Sequence, residues 1–175
     1  MFQNLNRKYI DFSIRQRTKN SPRRKHFANL QDVSNILLLI SADNISDKEI
    51  EEIMKMLKDK KRVSAWVFNA QETSLKNTVN MKLLTKKDVS ILQKPTEKVE
   101  ESFLSSEYDL LIDLTTREVL PLKYLLGISK ALCRCGMKKR GYSFYDLEID
   151  VPAKTKGTEL LKQILHYLNA IQTKS

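Results

Sequence analysis

Asn35-Ile36-Leu37-Leu38-Leu39-Ile40-Ser41 is an unbroken apolar run closed by polar residues at both ends. A strand with one wet face alternates apolar and polar side chains. A continuous run of this length fits a strand buried on both faces of a parallel sheet. Soon after it, Ser46-Asp47-Lys48-Glu49 has the capping-box pattern that opens a helix. Ile50, Ile53, Met54 and Leu57 then fall on one helical face. Arg62-Val63-Ser64-Ala65-Trp66-Val67-Phe68 reads as a second buried strand. Strand, helix and strand make a βαβ unit, whose crossover is expected to be right-handed.

The alternation continues downstream. Residues 109–114 form the third strong strand. Thr115-Thr116-Arg117-Glu118 is expected to cap the next helix, with Pro121 near its first turn, where the missing N–H costs little. That helix, 122–131, is apolar on most sides. Gly127 inside it costs roughly 1 kcal/mol relative to alanine, so a close approach of helix to sheet is expected there. Residues 132–135 and 147–151 read as short strands. The second alternates Leu147, Ile149 and Val151 with Glu148 and Asp150, which suits a wet face or a sheet edge. Between the second and third strands, Met81–Leu84 reads as a short strand, 85–88 as a polar turn, and Pro95-Thr96 as the start of a short helix to about Leu104. The last helix, 157–171, buries Leu160, Leu161, Ile164, Leu165, Leu168 and Ile171. The pattern implies one α/β domain, 35–175: a three-layer Rossmann-like sandwich on a mostly parallel sheet of about five or six strands.

What precedes it differs in character. Residues 1–34 read as a basic helical arm and connector. Phe2, Leu5, Tyr9 and Phe12 recur at helical spacing and are the expected docking stripe, with Lys8 and Arg15 across from them. The chain carries 31 Lys and Arg against 21 Asp and Glu, a net +10, and most of that excess lies in the first 26 residues. There Arg7, Lys8, Arg15, Arg17, Lys19, Arg23, Arg24 and Lys25 face Asp11 alone. Such an arm concentrates near polyanions, either nucleic acid or an anionic membrane surface.

Scarcity excludes several chemistries. Of 175 residues only 4 are glycine, and none precedes Gly127. No P-loop, G-x-G-x-x-G turn or G-x-S-x-G elbow fits the first 126 residues. His26 and His166 are the only histidines, too few for H-E-x-x-H, and both read as surface residues. Cys133 and Cys135 are too few for a disulfide framework. Two apart on a strand, they share a face and read as buried, inert thiols. No metal set, cofactor motif or catalytic motif is present. No apolar stretch reaches the roughly 20 residues needed to span a bilayer, and no secretory h-region is read, so a cytoplasmic location is expected.

Asp113 ends an otherwise apolar strand, and Thr115 and Thr116 follow it. Ser41 and Asp43 follow the first strand and Asn69 the second. Open α/β sheets bind ligands at strand carboxyl ends where the strand order switches, so these six residues are the candidate lining of a small-molecule crevice. The competing reading makes them helix caps and loop partners. Lys86-Lys87-Asp88 reads as a solvated turn.

Several segments carry a family resemblance: Thr85-Lys86-Lys87-Asp88, 108–114, Pro121-Leu122-Lys123-Tyr124-Leu125, Cys135-Gly136, Tyr145-Asp146-Leu147 and Ile164-Leu165-His166-Tyr167-Leu168. Over about 30–171 the chain resembles an uncharacterised bacterial family known only as a domain of unknown function. The resemblance implies a Rossmann-like fold after a basic N-terminal helix and no established activity. Cys133 and Cys135 depart from the apolar residues expected there. At fold level, 108–114 and Arg134-Cys135-Gly136 are also similar to the N-terminal half of heptosyltransferase-type glycosyltransferases, which need two such domains. Two functions follow as expectations. One is a non-enzymatic binding or accessory protein that engages an anionic partner through the arm. The other is a small-molecule- or nucleotide-binding domain, a reduced glycosyltransferase-like unit, with its site at the strand ends.

Overall fold

The computed structural model describes residues 2–27, 29–58, 62–72, 75 and 80–171. Its order is α1 (Phe2–Thr18), β1 (Asn35–Ser41), α2 (Asp47–Lys58), β2 (Arg62–Phe68), β3 (Met81–Leu84), α3 (Glu97–Leu104), β4 (Leu110–Asp113), α4 (Leu120–Ile128), β5 (Cys133–Met137), β6 (Leu147–Ile149) and α5 (Gly157–Ala170). The six strands pair in parallel in the order β3-β2-β1-β4-β5-β6. This is a Rossmann-like α/β fold. β1 lies between β2 and β4, which is why its sequence is apolar at every inner position. β6 takes the edge, as its alternation requires.

The period-2 pleat splits the sheet residues between two cores. Ile36, Leu38, Ile40, Val63, Ala65, Val67, Leu110 and Ile112 face α2 and α5. Leu37, Leu39, Trp66, Phe68 and Leu111 face α1, α3 and α4. On that second side Trp66 meets Phe103 of α3 edge-on, with ring centroids 5.2 Å apart.

Three local expectations are corrected. α4 starts at Leu120 with Val119 as its cap residue and no side-chain cap bond, so the 115–118 segment does not cap it. Thr115 is held instead by Asp113. Gly127 allows a close approach of helix to helix: a Cβ there would lie 2.7–2.9 Å from three side-chain atoms of Ile14. α1 docks through Ile10 and Ile14, at 0% and 4% exposure, whereas Leu5 and Phe12 stand out at 56% and 55%. The side chain of Phe2 lies outside the described residues. Helical geometry explains the last correction: Leu5 and Phe12 project opposite Ile10 and Ile14, and Lys8 and Arg15 lie beside Leu5 and Phe12. α1 is thus a layer of the same body, sharing its second core.

Candidate functional site

The strand order reverses between β1 and β4. At their carboxyl ends a crevice of about 640 Å³ opens. Ser41 and Asp43 wall it after β1, Thr115 and Thr116 after β4, and Lys154, Lys156 and Gly157 at the start of α5. The Ser41 hydroxyl is enclosed and has no hydrogen-bond partner among the described residues. Lys154, Lys156 and Arg117 give the lining exposed cations. Glu118, also in the lining, is held by Arg7 and Lys123.

Two of the six predicted residues fall elsewhere. Asn69 is buried at 2% exposure after β2, its amide donating to the Leu84 carbonyl, and it does not line this crevice. Asp113 is turned to the other side of the sheet. Its neighbours Ile112 and Leu114 belong to the α2–α5 core, so the pleat sends Asp113 the opposite way.

There Asp113 holds four hydrogen bonds. Oδ1 accepts from the Thr115 amide at 2.9 Å and its hydroxyl at 2.7 Å. Oδ2 accepts from Lys139 Nζ at 2.8 Å and from the Tyr145 hydroxyl at 2.6 Å. Lys139 also donates to Thr115 Oγ1 and lies over the Tyr142 ring at 4.9 Å. Burial, reinforced by the Asp113 charge, pushes the Tyr145 and Tyr142 phenols well above their ordinary range. Both stay neutral donors, so neither is a general base. The ring of Tyr145 lies against Gly136, where any Cβ would collide with it. This knot ties the end of β4 to the β5–β6 connection. Lys139, Tyr142 and Tyr145 were not singled out as site residues from the sequence.

Other buried ionic groups went unread as well. Lys123, 1% exposed in the otherwise apolar α4, reaches Asp11 of α1 at 2.8 Å and Glu118 at 3.3 Å. Glu100 of α3 accepts from the Tyr124 hydroxyl at 2.9 Å and pairs with Lys94 at 2.9 Å. Burial and that bond raise the Tyr124 phenol. A lysine inside an apolar helix was the available sequence signal, because a buried amine needs a carboxylate partner.

The structure divides the arm's cations. Arg7 is tied to Glu118, Arg17 lies 3.6 Å from Glu100, and Arg23 is pinned by Asp146 and the carbonyls of Ala131 and Leu132. Lys8, Arg15, Lys19, Arg24 and Lys25 are exposed, with no ion pair among the described residues. His26 and His166 are exposed, as are Lys86 and Lys87. Cys133 and Cys135 share one face, fully buried, with sulfurs 3.8 Å apart. The contact with Cys133, then burial, raises the Cys135 thiol, which stays protonated and inert. No helix among the described residues is long and apolar enough to cross a membrane, and none of their His, Cys, Asp and Glu side chains cluster as a metal site.

No curated protein matches the chain. Among solved structures, the E. coli heptosyltransferase WaaC with ADP is similar at 10% identity and a TM-score of 0.46, over 79% of this chain and 49% of that one. The chain spans about half the length of that enzyme. A family model matches residues 3–171, nearly the whole sequence: the chain belongs to DUF6913, a family of unknown function.

Proposed function

We propose that the protein is a binding domain that takes a small, anion-bearing molecule in the crevice at the carboxyl ends of β1 and β4. The observation that carries this reading is the coincidence of that crevice with the reversal of strand order, where doubly wound sheets hold ligands. Lys154 and Lys156 supply a positive rim at the start of α5. Binding is favoured over turnover because the lining holds no histidine or cysteine, and its two carboxylates are Glu118, already held by two cations, and the solvent-exposed Asp43. Thermal melting against a panel of sugar phosphates and nucleoside monophosphates tests it. A ligand at a hundredfold excess over its Kd stabilises by about 2.7 kcal/mol, which is roughly 5–11 °C for a chain of this size. Thr116→Val with Lys156→Gln should remove the shift. No shift with any member, or one that survives these substitutions, refutes the reading.

A second reading has its own support. Lys8, Arg15 and Lys19 lie on the exposed side of α1, beside Leu5 and Phe12, in position to meet an anionic partner. With five exposed arm cations, binding to duplex DNA should show a log–log salt slope of at most roughly −4.5. Deleting the helix would confuse binding with folding, because Ile10 and Ile14 are core residues. Lys8→Glu with Lys19→Glu is the cleaner test: unchanged binding to DNA and to anionic vesicles refutes this reading.

A further inference from the structure

A second cavity, of about 430 Å³, opens where the end of α1, the segment after it and the carboxyl end of α4 meet. This is the amino end of β5, opposite the crevice. Arg15, Arg17, Arg23, Lys25, Lys130 and Arg134 surround it, and no acidic residue is in the lining. Cations gathered around one concavity repel each other and raise the local positive potential. Asp146 neutralises Arg23 at 2.6 Å, and Glu100 loosely offsets Arg17. The other four have no ion pair among the described residues.

Arg134 is the informative residue. It is 6% exposed. One guanidinium nitrogen donates to the carbonyls of Ser129 and Gly127 at the end of α4, while its Nε–H is enclosed and has no partner among the described residues. Burial and the neighbouring Arg23 push the guanidinium down to about 9, against the pull of Asp146. A buried charged donor left unmade is costly, and an arriving anion removes that cost.

We propose that this cavity binds a compact oligophosphate, two or three linked phosphates, between Arg134 and Lys130 of the body and Arg15 and Lys25 of the arm. Four cations without acidic partners match the roughly three to four negative charges of such a group at neutral pH. Arginine forks suit its paired oxygens. The cavity exceeds the volume of a phosphate chain, leaving room for whatever carries it. The site is separate from the crevice. It rests on the arm reading only in sharing Arg15 and Lys25, and it replaces a diffuse polyanion surface with a defined pocket.

Calorimetric titration of the full chain with sodium triphosphate tests the proposal, with inorganic phosphate and a single-stranded DNA oligonucleotide alongside. Triphosphate should bind, and inorganic phosphate much more weakly. Arg134→Met should weaken triphosphate about tenfold or more, through loss of charge-assisted bonds. Lys25→Gln with Lys130→Gln should do the same; both residues are exposed, so this variant carries the test should Arg134→Met fail to fold. Lys8→Gln with Lys19→Gln should leave triphosphate affinity unchanged. Absent binding, or an equal loss in that last variant, overturns the proposal. DNA binding through Lys8 and Lys19 without triphosphate binding overturns it too, while sparing the arm reading. Triphosphate binding lost in the Lys25/Lys130 variant, with no DNA binding, upholds the pocket and removes the polyanion surface.

Discussion

Replacing Ile14 and Gly127, singly and together, tests whether α1 is a fixed layer of the molecule. Ile14 is 4% exposed, and three of its side-chain carbons lie 2.7–2.9 Å from the position a Cβ on residue 127 would take. Ile14→Ala removes a buried aliphatic group and should cost about 3 kcal/mol, within the range for such truncations. That lowers Tm by roughly 6–12 °C. Gly127→Ala inserts a methyl into occupied space, at a cost of about 1–3 kcal/mol. Better helix propensity returns at most about 1 kcal/mol of that. The double variant is decisive, because the new methyl enters space that Ile14 has vacated. Its loss should fall short of the sum of the single losses by about 1–2 kcal/mol, the coupling expected of residues in direct contact. Urea denaturation followed by far-ultraviolet circular dichroism measures all three. Additivity within about 0.5 kcal/mol, or an Ile14→Ala variant as stable as the parent, would show that α1 does not rest on α4. It would also dismantle the cavity to which Arg15 and Arg17 contribute.

Two further outcomes follow from the buried network. Asp113→Asn leaves Lys139, whose side chain is 6% exposed, without its anion, and should cost about 3–5 kcal/mol in urea denaturation; adding Lys139→Met should recover much of that loss, and no recovery would refute the pairing. Tyr124, Tyr142 and Tyr145 all have phenols raised in the folded state. Folding therefore favours their protonated form: this contribution is full below the unfolded value of about 10 and is lost as pH climbs above it. Phenolate absorbance in an alkaline titration should show these tyrosines ionising only as the chain unfolds, and ionisation with the fold intact would contradict their burial.

The sheet was legible because burial writes itself into composition. β1 has neighbours on both edges and helices over both faces, so almost any polar inner residue would have been costly, and the run 36–40 contains none. β6, at the edge, is free to alternate, and it does. The face of α1 was less legible for the opposite reason. Helical spacing pointed to Phe2, Leu5, Tyr9 and Phe12, but docking was governed by the partner surface, where Gly127 leaves room for Ile14. A helix's own pattern does not contain the shape of what it meets.

The candidate sites divide in the same way. Ser41, Asp43, Thr115 and Thr116 could be placed at one crevice because topology alone puts strand ends together. Parity along the strand carries more information than that placement used. Ile112 and Leu114 on one face force Asp113 onto the other, and Cys133 and Cys135 on one face force Arg134 onto the other. Two charged side chains were therefore committed to the α1–α4 side of the sheet before any partner was known. A buried charge at a fixed position demands compensation. Asp113 finds it in Lys139 and Tyr145, which lie 26 and 32 residues downstream and which no local spacing could have linked to it. Arg134 finds only part of it, in the carbonyls that end α4, and keeps one donor unused beside a cavity of cations. The first residue closes a structural knot. The second is left poised for an anion, and that difference in satisfaction separates scaffold from site on a face where both are buried.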